Sequence, residues 1–343
     1  MLSNQIATSN IKMKTYQQLW QSLTPLYDAG EAQAIVRTVL DVKYGMTLTD
    51  IICGKVNEIS ADEERKLEEI IIRLQKGEPV QYVLGEADFA GRTFHVEPGV
   101  LIPRPETAEL CQWIEKDMIE KSIVSSGDSS EDSPEASSGN SPQATDDARR
   151  ILDICTGSGC IAITLGLNIP NSEVTGWDIS EDALRIAQGN VEMMKAGNVR
   201  IEHQDALALP KAAETDNEKM KGNDDKEVVK PKGKAKTPST QKWDLIVSNP
   251  PYICEKEKAD MEKNVLEHEP SLALFVPDED PLKFYRAIAE YASSALKSGR
   301  ALYFEINPIY EKETREMLLK LDFKDIETKE DAFGKKRMMR AIK

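Results

Sequence analysis

Histidine is scarce in this chain of 343 residues, and its cysteines lack the spacing that metal sites need. The three histidines, His95, His203 and His268, lie far apart in the sequence, and no two of the five cysteines form a Cys-x-x-Cys pair. A metal site rich in histidine or cysteine, or a catalytic triad centred on histidine, therefore fits the sequence poorly. We predict no metal centre.

The sequence also lacks a net positive charge and long apolar runs. The formal net charge is -15, which argues against a broad basic surface for nucleic acid, because such binding depends on neutralising phosphates. We therefore expect no sequence-specific contact with nucleic acid. No apolar run approaches the ~18 residues of a membrane span and no signal peptide is apparent, so we expect a reduced, cytoplasmic protein without a membrane partner.

The first part of the chain has helical periodicity. Residues 1–12 are polar and aperiodic, and we expect a disordered extension there, with Met13 an equally good start. In residues 13–78, apolar residues recur at helical spacing and Ser60 to Glu63 forms a capping box, which predicts a small helical domain. Residues 79–107 would form a connector containing a hairpin, because Ala90-Gly91 separates two short alternating runs.

Strands and helices alternate from residue 108 to residue 343. This alternation predicts an α/β fold with a doubly wound, mostly parallel sheet, and two short final strands indicate an antiparallel edge. Two segments, at about 122–149 and 211–242, interrupt the pattern and contain few large apolar residues. We expect both to be mobile insertions, because they bury too little surface to offset their ordering entropy. For the lysine-rich end of the second, a solvated loop is favoured over a nucleic-acid contact.

A glycine-containing turn follows the first strand of this pattern, in LDICTGSGCIAI. Gly157 and Gly159 let the backbone approach a ligand closely, and the helix that begins at Cys160 offers free N–H groups. Asp178 ends the next strand, where a carboxylate can accept from both hydroxyls of a ribose. These features predict a ligand of the adenosine type.

Two classes of cofactor remain open at this point. The spacing Gly157-x-Gly159-x-x-Ala162 also fits the dinucleotide fingerprint of nicotinamide oxidoreductases. Asp153, just before the turn, favours the loop of methyltransferases that use S-adenosylmethionine. Asp205, at the end of the third strand, is a carboxylate where such enzymes meet the adenine edge.

The stretch SNPPY, from Ser248 to Tyr252, follows an apolar strand that ends at Val247. Its prolines cannot continue a central strand, but they fix the backbone geometry around Asn249. A planar amide or amino group could donate to the Asn249 side-chain oxygen and to the Pro250 carbonyl, with the Tyr252 ring against it. Out of context this is also a common turn; after a buried strand we interpret it as a clamp for an sp² nitrogen.

From Thr15 onward the chain resembles the release factor glutamine methyltransferases of the HemK/PrmC type. The resemblance is carried by PVQYVLGEADFAG, VLIPRPET, LDICTGSGCIAI, VTGWDIS, DLIVSNPPYI and VLEHEPSLALF. Asn-Pro-Pro-Tyr alone is shared with DNA adenine and ribosomal RNA guanine methyltransferases, which remain the alternative. A catalytically inactive binding module is a further alternative, which the presence of Asn249 and Asp178 disfavours.

The resemblance implies a class I methyltransferase fold and methylation of the side-chain amide nitrogen of glutamine in the Gly-Gly-Gln motif of peptide chain release factors. It implies that residues 13–78 recognise the substrate. The cofactor site for S-adenosylmethionine would comprise Cys155, Thr156, Gly157, Ser158, Gly159, Asp178, Asp205, Ala206 and Asn249. The target glutamine would be held by Asn249, Pro250, Pro251 and Tyr252, with Asn249, Pro250 and Tyr252 catalytic. The mouth of the site would be walled in part by Phe89, Arg104 and Glu106.

The sequence departs from the family pattern at several positions. Cys155 stands where the loop usually has glycine, which would narrow the freedom of the backbone. Ala108 replaces a usual glutamate, so any role of that residue is absent here. The stretch FEINPIY, from Phe304 to Tyr310, lacks the usual glycine and glutamine.

Overall fold

The computed structural model describes residues 15–126, 148–210 and 242–343. The predicted extension at 1–12 and nearly all of the two predicted insertions lie outside these ranges, so those predictions stay open. The N-terminal part is helical, with α1 Tyr16–Gln21, α2 Ala29–Tyr44, α3 Leu48–Ile52, α4 Ala61–Leu74 and α5 Val80–Leu84.

Side-chain caps explain where three of these helices, α1, α3 and α4, begin. Thr15, Thr47 and Ser60 each accept a hydrogen bond from a backbone N–H of the first turn, and each is part of a capping box. The apolar faces then form one core, whose fully buried members include Leu23, Val36, Leu40, Ile71 and Leu74. Val83 and Leu84 of α5 join this core, so the helical unit continues into the segment predicted as the start of the connector.

The connector contains the predicted hairpin. Strands β1 Glu86–Phe89 and β2 Arg92–His95 pair in antiparallel register across Ala90-Gly91, which confirms the prediction. Helix α6 Pro105–Ser126 follows, and it crosses both the predicted end of the connector at residue 107 and the predicted start of the first insertion at about residue 122. It begins inside the predicted connector, because proline is favoured in a first helical turn, and it extends into the segment assigned to the first insertion.

The rest of the described chain forms a seven-stranded sheet with helices on both faces. The sheet strands are β3 Arg149–Ile154, β4 Ser172–Asp178, β5 Val199–His203, β6 Trp243–Ser248, β9 Leu296–Glu305, β10 Lys324–Glu330 and β11 Lys336–Ile342. The long helices are α7 Cys160–Asn168, α8 Glu181–Met193, α11 Lys283–Ala295 and α12 Glu311–Lys320. Between β6 and α11 lie β7 Ile253–Cys254, α9 Lys263–His268, α10 Ser271–Leu274 and β8 Phe275–Val276.

The strand order is β10-β11-β9-β6-β3-β4-β5, and β11 alone among these seven runs opposite to the others. The mostly parallel sheet with an antiparallel ladder at one edge confirms the predicted fold class. The outermost strand is β10, so the reversed strand β11 lies one position inside the edge. No helix of the described ranges combines the length and the apolar composition that crossing a membrane requires.

The topology places the glycine turn and SNPPY side by side. From β3 the chain builds outward through β4 and β5, and then returns to the other side of β3 with β6 and β9. The switch point of the sheet therefore lies between β3 and β6, and ligands of open α/β sheets bind at the carboxyl ends of the strands at such a point.

Candidate active site

A cavity opens at the switch point of the sheet. It encloses about 950 Å³ of empty space, part of it open to solvent. Its walls come from the loops that follow β3, β4, β5 and β6, from the connector and from α10. Gly157, Asp178, Asp205 and Asn249 all line it, so the predicted cofactor residues and the asparagine of SNPPY face one space.

The turn after β3 has a left-handed backbone at alternate residues. The φ angles are 64° at Cys155, 55° at Gly157 and 80° at Gly159. A Cβ added to Gly157 would meet no atom within 4 Å, so this part of the turn is open to a ligand. Cys155 shows why glycine is usual at its position, because left-handed backbone costs about 1–2 kcal/mol for a residue with a Cβ.

Asp153, in β3, stabilises this turn through hydrogen bonds. Its Oδ2 accepts hydrogen bonds from Thr156 Oγ1 at 2.6 Å and from the backbone N–H of Ala162 at 3.2 Å. Its Oδ1 is buried and finds no partner among the described residues. Burial raises the pKa of this carboxyl to about 7, although the Thr156 hydroxyl opposes the shift.

Asp178 connects the end of β4 to the same turn. Its Oδ2 accepts from the backbone N–H of Gly157 at 2.9 Å and its Oδ1 accepts from Ser180 N–H at 3.0 Å. Each oxygen keeps a further lone pair for a ligand hydroxyl. Burial raises the pKa of Asp178, and the backbone hydrogen bonds oppose that shift. Asp205 is held similarly, because its Oδ1 accepts from Leu207 N–H at 2.8 Å.

SNPPY lies on a buried polar network. Asn249 Nδ2 donates to Thr107 Oγ1 at 3.1 Å, and Thr107 Oγ1 donates to Glu305 Oε2 at 2.5 Å. The Tyr252 hydroxyl donates to the other oxygen of Glu305 at 2.9 Å. Glu305 is only 2% exposed, and this burial raises the pKa of its carboxyl. The network joins α6, the SNPPY loop and the end of β9.

The connector forms one wall of the cavity. Arg104 lines the cavity and pairs with Glu269, whose other oxygen accepts from Ile102 N–H at 3.2 Å. Asn190 ties the hairpin to the glycine turn: its Nδ2 donates to the carbonyls of Ser158 at 2.9 Å and His95 at 3.0 Å. Its Oδ1 accepts from His95 N–H at 2.8 Å. The hairpin and the sheet edge therefore share one set of hydrogen bonds.

Comparison with known proteins identifies the family of this chain. A family model described as the PrmC N-terminal domain matches residues 24–85, and one described as a methyltransferase domain matches residues 145–268. The chain is 42% identical over 321 residues to a release factor glutamine methyltransferase of Bacteroides thetaiotaomicron, covering 94% of this chain and 96% of that protein. The chain belongs to the release factor glutamine methyltransferases. A second member, from Flavobacterium psychrophilum, is 34% identical and covers 96% of this chain and 98% of that protein.

Membership in this methyltransferase family decides against the nicotinamide oxidoreductase that the glycine spacing left open.

Most of the predicted cofactor residues line the cavity, namely Cys155, Thr156, Gly157, Ser158, Asp178, Asp205, Ala206 and Asn249. Gly159 does not line it. A Cβ on Gly159 would lie 3.2 Å from both Ala187 Cβ and Ile163 Cδ1, so this glycine allows α7 and α8 to pack closely.

Two of the four predicted substrate residues line the cavity and two do not. Pro251 lines the cavity beside Asn249, whereas Pro250 and Tyr252 do not. The Tyr252 hydroxyl points to Glu305, so its position suits support of the clamp. The expectation that Phe89 walls the mouth is wrong: its ring is 3% exposed and packs edge-on against Phe94 at 5.8 Å in the core. Glu106 is also absent from the lining.

Sequence reasoning missed three polar residues that hydrogen-bond to each other or to the cavity residues Arg104 and Asn249. Thr107, Glu269 and Glu305 are all buried, and none was selected as a site residue. A signal was present for Glu305, because it is a carboxylate at the end of the apolar run Ala301-Leu-Tyr-Phe. Thr107 and Glu269 lie within the quoted motifs VLIPRPET and VLEHEPSLALF, but no local pattern distinguishes them.

Proposed function

We propose that this protein transfers a methyl group from S-adenosylmethionine to the side-chain amide nitrogen of glutamine in the Gly-Gly-Gln motif of peptide chain release factors. The observation that carries the proposal is the position of Asn249, which lines the cavity shared by Gly157 and Asp178. The relatives' names specify a release factor glutamine as the acceptor. The tripeptide and the methyl donor are our additions to that description. A release factor substrate also favours the cytoplasmic location expected from the sequence.

The residues of the cavity fit S-adenosylmethionine. Gly157 leaves open space beside the turn, and the first N–H groups of α7 lie behind it. Asp178, Asp205 and Ala206 line the cavity, where Asp178 would accept from the ribose hydroxyls and Asp205 with Ala206 would hold the adenine. When bound, the cofactor supplies an electrophilic methyl group on a sulfonium. Asn249, which also lines the cavity, would hold the acceptor beside it.

The acceptor requires positioning more than a base. An amide nitrogen is a poor nucleophile, because its lone pair is delocalised into the carbonyl. Asn249 Oδ1 and the Pro250 carbonyl would accept hydrogen bonds from the two N–H groups of the target amide. These hydrogen bonds would stabilise the positive charge that develops on the N–H groups. Alignment of nucleophile and methyl group can supply about 7–11 kcal/mol. The proton can leave after the methyl group arrives, so no strong general base is needed.

Mass spectrometry of the Gly-Gly-Gln peptide tests this function. Release factor incubated with the protein and S-adenosylmethionine should gain one methyl group on that glutamine. Asn249→Ala should abolish transfer and leave affinity for S-adenosylhomocysteine near the wild-type value by calorimetry. Asp178→Ala should instead weaken that affinity. Gln188→Ala, which removes an exposed side-chain amide of α8 outside the cavity lining, is the matched control and should do neither.

Two results would contradict the proposal. Tritiated methyl groups that enter DNA or RNA but not release factor would assign the chain to the alternative class of acceptor. Full modification of release factor by Asn249→Ala would show that the asparagine does not hold the target.

A further inference from the structure

We propose that Glu305, acting through Thr107, is a positioning residue that fixes the orientation of the Asn249 side-chain amide. This inference rests on the function proposed above and adds to it the group that sets the direction of the clamp. Three side chains carry it, and they lie 198 and 142 residues apart along the chain in the pairs Thr107–Glu305 and Asn249–Thr107.

The direction of the network follows from the chemistry of Glu305. The Thr107 and Tyr252 hydroxyls and the charge of Arg337 oppose the effect of burial on the pKa of Glu305 and favour its ionised form. An ionised carboxylate can only accept hydrogen bonds, whereas a hydroxyl has one proton to donate. Thr107 donates that proton to Glu305 Oε2, so its lone pairs face Asn249. Thr107 can therefore accept from the Asn249 Nδ2 and cannot donate to the Asn249 Oδ1. The amide is held with nitrogen toward Thr107 and oxygen toward the cavity.

The free end of the Asn249 amide is the one that the reaction needs. No N–H or O–H of the described chain donates to Asn249 Oδ1. The target nitrogen carries two N–H donors, so only an oxygen at this position can hold it. A flipped amide would present an NH₂ group to an NH₂ group, and neither could accept.

Glu305 also orders the second side chain of the clamp. Its Oε1 accepts from the Tyr252 hydroxyl, and Arg337 Nη1 donates to the same hydroxyl oxygen at 3.4 Å. The tyrosine proton is thus directed at Glu305. Burying a carboxylate at 2% exposure is costly, and an apolar residue could fill the same volume without that cost. A role limited to packing therefore does not account for an acceptor with two organised donors.

A glutamine introduced in place of Glu305 would satisfy one donor and oppose the other. If its oxygen faces Thr107, its NH₂ group meets the Tyr252 hydroxyl, whose proton loses its acceptor. If its oxygen faces Tyr252, its NH₂ group donates to Thr107, which then donates to Asn249 and flips the amide. Both orientations disturb the clamp while changing the volume of the side chain very little.

Steady-state kinetics with release factor as the substrate test this relay, the chain of hydrogen bonds from Glu305 through Thr107 to Asn249. Glu305→Gln and Thr107→Val should each lower kcat by about 10- to 100-fold, the loss expected when a hydrogen bond in a network with a charged group is removed. Thr107→Ser keeps the hydroxyl and should retain a rate close to wild type. Affinity for S-adenosylhomocysteine should be unchanged in all three, which shows that the cavity is intact. Wild-type kcat in Glu305→Gln and Thr107→Val would overturn the inference.

A reversed pair of side chains gives a second test. When Asn249→Asp is combined with Glu305→Gln, the introduced glutamine can donate to Thr107. Thr107 can then donate to one oxygen of the introduced aspartate, whose other oxygen faces the target. The double variant should therefore be more active than either single variant, because in Asn249→Asp alone two carboxylates compete for one hydroxyl proton. A double variant no more active than the better single variant would contradict the relay.

The orientation can also be read without substrate. The side-chain NH₂ protons of Asn249, identified in ¹⁵N-labelled protein by their loss in Asn249→Ala, should exchange slowly with solvent. They should exchange faster in Thr107→Val and remain protected in Thr107→Ser. Fast exchange in the wild-type protein would overturn the inference. Because this measurement needs no acceptor, a failure of the proposed function leaves its outcome decisive.

Discussion

The substitution Asp153→Asn should change how stability depends on pH. Asp153 is fully buried at the base of the glycine turn, with one oxygen paired and the other without a partner among the described residues. Asparagine keeps an oxygen for the Thr156 hydroxyl and the Ala162 N–H. The substitution therefore preserves the contacts of the turn while removing the charge that burial disfavours.

The sign and size follow from the shifted pKa. The pKa of Asp153 is about 7 in the folded protein against an ordinary 3.8, so the folded state holds a proton that the unfolded chain has released. Its contribution to stability is full below about pH 4 and is lost as the pH rises through about 7. The whole loss is about 4 kcal/mol at about 1.4 kcal/mol for each pKa unit, and about 3 kcal/mol of it falls between about pH 5 and pH 8.

Urea denaturation of the ligand-free protein measures this contribution. The stability of the wild type relative to Asp153→Asn should fall by about 3 kcal/mol from about pH 5 to pH 8, since other titrating groups are common to both proteins. Asp62→Asn, at an exposed position in the first turn of α4, controls for the loss of one formal charge. Parallel stability curves for the wild type and Asp153→Asn would refute the reasoning.

Three substitutions and one chemical modification provide further tests of the packing. Gly176→Ala places a Cβ 2.8 Å from the Thr156 hydroxyl, so it should weaken S-adenosylhomocysteine binding and lower the free energy of unfolding by about 1–3 kcal/mol. Gly189→Ala adds a Cβ with nothing within 4 Å, so it should raise the free energy of unfolding, measured by urea denaturation, by about 0.5–1 kcal/mol. Asn190→Ala should lower the free energy of unfolding by about 2–4 kcal/mol, because it removes the partner of the buried Ser158 carbonyl and of the part-buried N–H and carbonyl of His95; a loss below the error of the measurement would contradict this. Iodoacetamide at about pH 8 should label exposed Cys53 and spare Cys155, because burial raises the pKa of the Cys155 thiol; equal labelling of the two in the native protein would contradict this.

Local patterns in the sequence were sufficient to predict the fold and the part of the cavity formed by the glycine turn. The strand, glycine turn and helix around Gly157 are adjacent in sequence, and their hydrogen bonds are largely local. The open-sheet rule then brings Asn249 to the same edge, because it depends on strand order alone.

The rest of the site, which the hairpin and the connector help to form, depends on contacts that no local pattern encodes. The hairpin around Phe89 was predictable, but alternation does not say which face of a two-stranded ribbon meets the core. The ring turns inward and joins the core cluster that contains Phe94 of the same hairpin, Leu110 of α6 and Ile163 of α7. Cys155 was recognised as a departure from the family pattern, and its φ of 64° shows that the turn keeps its left-handed geometry in spite of the Cβ.

The connector motifs are informative because each supplies a partner for the sheet edge. VLIPRPET provides Thr107 for Asn249 and Arg104 for Glu269, and VLEHEPSLALF provides that glutamate. Asn-Pro-Pro-Tyr fixes its own backbone, but an asparagine amide can present either end to a ligand. A chain with the tetrapeptide and without the threonine and Glu305 would have to orient its asparagine by other contacts. Under the proposed function, the tetrapeptide supplies the clamp for a planar nitrogen, and the residues beneath it orient the amide that holds this nitrogen.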